Sequence, residues 1–419
     1  MSFSSIFRCL LCNIPKNESR GEKVPVSTEQ YEIEGKNPGD STDFQESIDS
    51  TSQFTSPDES NITTEENIAE LPIQKSNRAL IVAAKGAYSF ADLPFPILSH
   101  EHEVVISNRA TGLNPIDYKS VDYNFCLPEF PWITGREMAG VVEMVGAGVR
   151  DVKVGDHVWT STYYRDRRAG CFQQYITVPA HTVLPLPPST NFTSAASLGV
   201  AGLTAAMTLW HWLDVPFPPP SANPPPPANP EKQEQEQEQE FLLVWGGGTV
   251  TGQYALQLAA ISHLRVIAIT SSHTAPLARS LGAIVIERDN KSNTQIISEI
   301  KEIAGDNITR AIDLVGPKTA SACLQVLSRE RECRFAPLAM MGNEEVVARN
   351  VQVVTVEMKR FVLDEANRMY ALELNRLVGE GRVQVPGIET VHGGLENVVL
   401  GLDRLKKGEM GGRKMVVVF

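Results

Sequence analysis

Two hydrophobic patterns divide the chain into unlike halves. From residue 77 to residue 215, apolar residues form short alternating runs that Gly and Pro separate. Examples of these runs are Ala79–Ala83, Glu103–Ser107 and Gly140–Val145. Such alternation is typical of half-buried strands, so this half predicts a mostly β domain.

The second half, from residue 241, alternates short buried runs with longer helical segments. The predicted strands are Phe241–Trp245, Arg265–Thr270, Ala283–Ile286 and Arg310–Val315. The predicted helices are Thr251–Ser262, Ala275–Leu281 and Thr294–Ile303. This spacing predicts an α/β fold with a parallel, doubly wound sheet. After about residue 380 the pattern is mixed again, and it ends in a strand, Lys414–Phe419.

Two segments that lack both patterns carry the net charge of the chain. The chain has 419 residues and a formal charge of −12, of which residues 1–75 contribute −8 and residues 216–240 contribute −4. The remaining 319 residues contain 31 acidic and 31 basic side chains and are neutral. We expect residues 1–76 to be a disordered acidic tail and residues 216–240 to be a disordered insert rich in Pro, Glu and Gln.

Composition excludes several classes of protein. The chain has no basic excess, so nucleic acid is not an expected partner. No apolar run approaches the roughly 20 residues that span a bilayer, and the N-terminus makes a poor signal or transit peptide. Six cysteines in a chain of this length predict no disulfide framework. We therefore expect a cytoplasmic protein, and we assign no function to the Cys9 and Cys12 pair.

A glycine-rich turn joins the first strand of the second half to its first helix. The turn consists of Gly246, Gly247, Gly248, Thr249, Val250, Thr251 and Gly252. A turn of this kind lets the backbone approach a pyrophosphate at the N-terminus of the helix. Because a strand precedes it and a helix follows it, we predict dinucleotide binding, with a purely structural turn as the alternative.

The end of the second strand indicates which dinucleotide binds. Enzymes that use NAD place Asp or Glu there to hold the ribose 2′-hydroxyl. This chain has Ser271, Ser272 and His273 instead, and no acidic residue lies between the glycine turn and Glu287. Hydroxyl groups and His273, together with the basic residues Arg279 and Arg288, suit a 2′-phosphate. We therefore predict NADPH.

Several sequence blocks, taken in order, resemble the medium-chain dehydrogenase/reductase superfamily over about residues 77–419, apart from the insert. The blocks are Gly112–Lys119, Gly135–Gly140, Val154–Val158, Gly170–Tyr175, Gly246–Gly252, Leu281–Ala283 and Gly411–Val416. The resemblance implies a GroES-like catalytic domain at 77–215, a Rossmann domain at 241–380 and a return to the catalytic domain at 381–419. It also implies an active-site cleft between the two domains.

The residues at the zinc positions of this superfamily differ from metal ligands. The zinc-dependent alcohol dehydrogenases that the chain resembles have a ligand Cys where it has Asn114 and a ligand His where it has Arg136. The stretch that matches their four-cysteine lobe, Asp151–Tyr175, contains only Cys171. Zinc needs three or four soft or imidazole ligands, so we expect a zinc-independent enzyme with no metal site.

Within the zinc-less branch, the chain looks most similar to fungal trans-acting enoyl reductases, which work beside polyketide synthases. Two positions depart from the family pattern. Glu287 and Arg288 stand where a Tyr is common, and the usual Ser is missing before the glycine of the last block. The resemblance implies hydride transfer from NADPH to an enoyl thioester or enone in secondary metabolism, by a monomer or homodimer.

The resemblance also implies roles for individual residues. It places the block Ile116, Asp117, Tyr118 and Lys119 beside the cofactor. Lys119 is the leading candidate for holding the nicotinamide ribose or donating a proton to Cα, and Tyr118 is a second catalytic candidate. A helix that flanks the substrate cleft is predicted at Gly202, Leu203, Thr204, Ala205, Ala206, Met207, Thr208 and Leu209. The small residues of that helix fit packing equally well.

Two other functions remain open at the level of sequence. The chain could be a quinone or enone reductase that acts on free small molecules, because quinone oxidoreductases share several of the blocks. It could also be a non-catalytic scaffold that retains the fold. An assay of NADPH oxidation with both kinds of acceptor distinguishes these functions.

Overall fold

The computed structural model describes residues 75–220 and 240–419, which belong to one compact unit. The predicted acidic tail, with Cys9 and Cys12, lies outside the described residues except for its last two positions. Most of the predicted insert, residues 221–239, also lies outside them.

The first half forms two antiparallel arrangements of short strands. Its strands are β1 (Ser76–Ala84), β2 (Ala87–Pro94), β3 (Glu103–Gly112), β4 (Trp132–Ile133), β5 (Glu137–Val145), β6 (His157–Ser161), β7 (Tyr175–Pro179) and β8 (Val183–Pro185). Strands β2, β1 and β4 form one small sheet. The larger sheet also contains β15 (Ile388–His392) and β16 (Lys414–Val418), in the order β15-β16-β3-β5-β6-β8 with β7 on β3. Two strands from the C-terminal part of the chain thus complete the sheet of the first half.

The second half is a parallel sheet of six strands. These are β9 (Phe241–Trp245), β10 (Arg265–Thr270), β11 (Ile284–Glu287), β12 (Ile308–Asp313), β13 (Cys333–Pro337) and β14 (Val351–Val353). Their spatial order is β11-β10-β9-β12-β13-β14, which is the Rossmann order. The central strand β9 is buried along its whole length, as expected for a sheet covered on both faces.

Ten α-helices of the described residues connect and cover the two sheets. They are α1 (Pro115–Asp122), α2 (Phe192–Ala195), α3 (Leu203–Met207), α4 (Val250–Ile261), α5 (Ala275–Ser280), α6 (Asn293–Ala304), α7 (Pro317–Leu324), α8 (Lys359–Leu363), α9 (Arg368–Gly379) and α10 (Val398–Lys406). The predicted helices and strands of the second half are all present, with ends that differ by at most two residues. The predicted α/β fold class is confirmed.

One long apolar helical segment, Phe192–Trp212, packs inside the protein. It is long and apolar enough to span a membrane, but 78% of its most apolar window is buried against the rest of the chain. Within it, α3 lies between two π-helical turns, Leu198–Gly202 and Thr208–Trp212. The segment packs on α4 and α9, so it belongs to the largest hydrophobic core of the protein.

Helix α1 is fixed by a buried carboxylate at its N-terminus. The backbone N–H of Asn114, the residue before α1, donates to Oδ2 of Asp117 at 2.8 Å. Pro115 supplies the fixed φ that suits the first helical position. Asp117 is completely buried, and this burial raises the pKa of its carboxyl group to about 7 against the opposing effect of Arg136.

A buried ion pair joins four elements next to α1. The ammonium group of Lys414, at the start of β16, contacts the Glu137 carboxylate at the start of β5 and also donates to Asn114 Oδ1 at 2.7 Å. Asn114 donates to Glu137 Oε1 at 2.8 Å, and the backbone N–H of Val200 donates to Glu137 Oε2 at 2.6 Å. Glu137 is 0% exposed and Lys414 is 3% exposed. Because water does not reach them, each charge is stabilised by the other.

Replacing Lys414 should destabilise the fold strongly. Lys414→Met leaves the Glu137 charge buried without its cation, and we expect a loss of about 3–5 kcal/mol in the free energy of unfolding. The double variant Lys414→Met with Glu137→Gln should recover part of that loss. Urea denaturation of both variants measures the effect. Lys406→Met, which breaks the exposed pair between Lys406 and Asp122, is the control and should change stability little. Equal losses in Lys414→Met and Lys406→Met would contradict the prediction.

The Asp117 carboxyl should make stability fall as the pH rises. Its pKa in the native state, about 7, lies above the ordinary value of 3.8, so between these pH values the native state retains a proton that the unfolded state has lost. Ionisation of this group therefore lowers the free energy of unfolding by up to about 1.4 kcal/mol per pH unit between these two pKa values. Above the native pKa, the group causes no further loss. Asp117→Asn should flatten the pH dependence of unfolding, as measured by denaturation between pH 4 and pH 8. A constant difference between the variant and the parent would show that Asp117 does not titrate in this range.

Candidate active site

The glycine turn lies at the carboxyl edge of the parallel sheet, between β9 and α4. Gly246 has a φ of +96°, a conformation that favours glycine, and a side chain on Gly248 would collide with Thr274. The Thr249 hydroxyl accepts from the backbone N–H of Gly252 at 3.0 Å and caps α4. The backbone N–H groups of Val250 and Thr251 begin the helix, where they have no partner within it. The turn therefore offers a narrow cradle and free donors for an anion, as a pyrophosphate requires.

A second glycine turn, Gly411–Gly412, lies directly against this cradle. Gln253 of α4 donates from Nε2 to the carbonyl oxygen of Gly248 at 3.1 Å and to that of Gly412 at 2.6 Å. A side chain on Gly412 would meet the Gly248 carbonyl, and one on Gly411 would meet the His273 ring. The chain just before β16 thus forms one wall of the candidate nucleotide site. Residue spacing alone gave no sign of this contact, because the two turns meet only through the fold.

The predicted 2′-phosphate residues surround the end of β10. Ser272, His273, Arg279 and Arg288 are exposed, whereas Ser271 is partly buried. Arg279 is already engaged by Glu287, with 2.7 Å between Nη2 and Oε1. An acidic side chain that the sequence did not indicate also lies at this edge. Asp289 accepts from the backbone N–H of Ser272 at 2.5 Å.

Helix α1 separates its predicted site residues onto different faces. Lys119 is exposed, and its ammonium group has no hydrogen bond or ion pair to other described residues. Tyr118 is partly buried, packs near α10 and has the Lys406 ammonium 6.0 Å from its ring centroid. Ile116 is partly exposed. Asp117 requires a correction, because its buried carboxyl caps α1 and is not accessible to a cofactor.

The predicted substrate segment is also placed differently from expectation. Its side chains lie in the core between α4 and α9. Thr204, the most exposed of these side chains, is only 9% exposed. Direct contact between these side chains and a substrate does not fit this burial. The packing alternative fits it, because close approach of the helices requires small residues such as Gly202 and Ala206.

A polar cluster surrounds Arg136, the residue that the sequence resemblance matches to a zinc ligand. Arg136 donates from Nη2 to the Tyr164 hydroxyl at 2.7 Å, and its guanidinium carbon lies 4.5 Å from the centroid of that ring. The Tyr164 hydroxyl also hydrogen-bonds with Ser120 Oγ of α1 at 2.7 Å. A guanidinium has no lone pair for a metal, and the Asn114 side chain is already bonded to Glu137 and Lys414. The part of the chain that the structure describes has no group of three or more His, Cys, Asp or Glu residues arranged for a metal.

Comparison with protein families agrees with this architecture. Residues 100–188 match the alcohol dehydrogenase GroES-like domain, and residues 250–369 match the family described as zinc-binding dehydrogenase. Among solved structures, the enoyl reductase CurK superposes with a TM-score of 0.67 at 19% identity, covering 82% of this chain and 99% of its own. A quinone oxidoreductase of Pseudomonas syringae gives a TM-score of 0.65 at 22% identity, covering 82% of this chain and all of its own. At these identities the structural similarity establishes the fold alone.

Similarity to curated sequences is more specific. The trans-enoyl reductase himH of Aspergillus japonicus is 30% identical over 325 residues, which are 75% of this chain and 89% of that protein. The trans-enoyl reductase resD of Aspergillus sclerotiorum is 28% identical over 363 residues, which are 81% of this chain and 99% of that protein. The chain therefore belongs to the medium-chain dehydrogenase/reductase family, alongside the fungal trans-enoyl reductases.

Proposed function

We propose that this oxidoreductase is an NADPH-dependent enoyl reductase that acts in trans beside a polyketide synthase in the cytoplasm. The observation that carries the proposal is the tight glycine cradle at the N-terminus of α4, in a chain whose relatives at 28–30% identity are named trans-enoyl reductases. The two predicted domains supply different parts of such an enzyme. The parallel sheet supplies the nucleotide site, and α1 with its neighbours supplies the groups near the reacting end.

The residues of the cradle fit a dinucleotide. Val250 and Thr251 present backbone donors to the pyrophosphate, while Gly246 and Gly248 keep the space clear of side chains. Arg288 is exposed just after β11, and we propose it as the cation for a 2′-phosphate. When bound, NADPH supplies the hydride. The backbone N–H groups of Val250 and Thr251 would hold its pyrophosphate.

The side chains around α1 favour an acceptor that is already polarised. Arg136 and Asn114 cannot supply the metal ligand set that the zinc enzymes of the family use to polarise an alcohol or ketone. An α,β-unsaturated thioester needs less assistance, because its carbonyl withdraws electrons from the double bond. Hydride addition at Cβ then needs a donor for the enolate oxygen and a proton for Cα.

Lys119 is the residue that we propose for the proton or for the nicotinamide ribose. Its ammonium group is exposed on α1 and is not engaged by other described residues. Tyr118 is less suitable, because it is partly buried against α10 and burial raises the pKa of its hydroxyl. We therefore assign the direct role to Lys119.

The acceptor can be determined with an assay of NADPH oxidation. We expect turnover with an enoyl thioester, such as a short enoyl pantetheine or coenzyme A thioester, to exceed turnover with a simple quinone. Reconstitution with a polyketide synthase that lacks a reductase tests the partner and should yield a product with one more saturated carbon–carbon bond. Faster reduction of the quinone would favour a quinone oxidoreductase, and no oxidation with any acceptor would favour a scaffold.

Substitution of Lys119 should slow the reaction without loss of the fold. Lys119→Ala should reduce kcat/KM for the enoyl thioester by about 100-fold, the usual contribution of a positioned proton donor. Lys301→Ala, which removes an exposed lysine from α6, is the matched control and should leave the rate unchanged. Unchanged rates in Lys119→Ala would remove this residue from the mechanism, while thermal unfolding of both variants checks that each is folded.

A further inference from the structure

An ionised side chain lies at the end of β10, where the adenosine ribose of a bound dinucleotide is expected. Asp289 Oδ2 accepts from the backbone N–H of Ser272 at 2.5 Å, and the carboxylate is also hydrogen-bonded by the Ser272 side chain. These hydrogen bonds, together with the nearby Arg288 charge, hold the pKa of Asp289 below its ordinary value. Asp289 is exposed, so burial does not explain its position. An anion therefore occupies the donors of Ser272.

The Ser272 donors belong to the candidate nucleotide site. The loop that contains them continues to Thr274, whose side chain packs against Gly248 of the cradle, and His273 lies against Gly411. In a Rossmann-type sheet, the residue that reads the ribose 2′ position lies at the end of the second strand. That strand is β10, and Ser272 follows its last residue by two positions. Donors at this point would lie near the 2′ substituent of a bound nucleotide.

The charges around Ser272 cancel one another. Arg279 and Arg288 are the cations of this edge, and Glu287 and Asp289 are its anions. Glu287 binds Arg279 at 2.7 Å, and the Arg288 charge acts on Asp289. A 2′-phosphate adds about two negative charges at a place where Asp289 is already ionised. It also requires the donors that Asp289 occupies.

We propose that Asp289 determines cofactor specificity as an internal competitor of the 2′-phosphate. Binding of NADPH must separate the Asp289 carboxylate from Ser272, whereas binding of NADH leaves that contact in place. The protein therefore discriminates only weakly in favour of NADPH, although the end of β10 carries no acid of its own. This inference rests on the proposed use of a nicotinamide dinucleotide at the glycine cradle.

The experiment compares two nucleotides that differ only at the 2′ position. Calorimetric titration of the full-length protein with 2′,5′-ADP and with 5′-AMP measures the effect of the phosphate without any catalytic step. Asp289→Asn should strengthen binding of 2′,5′-ADP by about tenfold, the usual worth of one charge-assisted hydrogen bond. Binding of 5′-AMP should stay within about twofold, because it places no phosphate beside Ser272. The ratio of kcat/KM for NADPH to that for NADH should rise by a similar factor.

Asp306→Asn is the matched control for the charge change. Asp306 accepts from the Ser328 hydroxyl at 2.7 Å and from the backbone N–H of Arg329 at 3.0 Å, so it makes the same kinds of bond as Asp289. It precedes β12 and therefore lies at the opposite edge of the parallel sheet. Asp306→Asn should leave the affinity for both nucleotides unchanged. If Asp306→Asn strengthens binding of 2′,5′-ADP as much as Asp289→Asn does, the effect is due to net charge and the proposal is overturned.

The remaining outcomes separate this inference from the proposed function. Unchanged or weaker binding of 2′,5′-ADP by folded Asp289→Asn, in a protein that binds NADPH, refutes the role of Asp289 and leaves the enoyl reductase proposal intact. Failure of the parent protein and of Asp289→Asn to bind either nucleotide, NADPH or NADH refutes dinucleotide use, and this inference with it. Thermal unfolding confirms that each variant is folded before titration.

Discussion

The buried pair of Glu137 and Lys414 is the constraint on which the arrangement of the first half depends. Glu137 begins β5, Lys414 begins β16, and between them Asn114 fixes the start of α1. The backbone N–H of Val200 donates to the same carboxylate, which connects the long apolar helical segment to this pair. Two charges without access to water tolerate little displacement, because each loses its solvation when the other moves. The position of α1, and with it that of Lys119, is therefore set by a contact between residues 277 positions apart.

The polar cluster next to this pair gives the region around Arg136 a chemistry of its own. Arg136 lies in the position of a metal ligand, but its charge is held by the Tyr164 ring and hydroxyl. Asp117, completely buried below the same region, carries a carboxyl group that burial makes a weaker acid. The Arg136 cation, the Tyr164 phenol and the Asp117 carboxyl group therefore form one buried polar region.

Local patterns predicted the second half of the fold well. Strands such as β9 are continuous apolar runs, and the turn after β9 contains glycines that its tight backbone requires. Long-range contacts were not predictable in this way. The position of Asp289 on Ser272 depends on the packing of two loops, and the burial of Gly202–Leu209 depends on α4 and α9. The role expected for Asp117 failed for a related reason, because sequence spacing does not reveal which face of a short helix is covered.

The wall that Gly411–Gly412 adds to the glycine cradle has a consequence for the order in which the protein matures. Gln253 and Gly412 are 159 residues apart along the chain, yet one side chain amide bridges the two turns. During synthesis, the parallel sheet can assemble before residue 412 has left the ribosome, but the wall of the candidate nucleotide site cannot. A nascent chain at that stage has a glycine cradle that is open on one side, and Gln253 has no second turn to bridge. A ligand that needs both turns would therefore stabilise only those molecules in which the turn at residue 412 has docked.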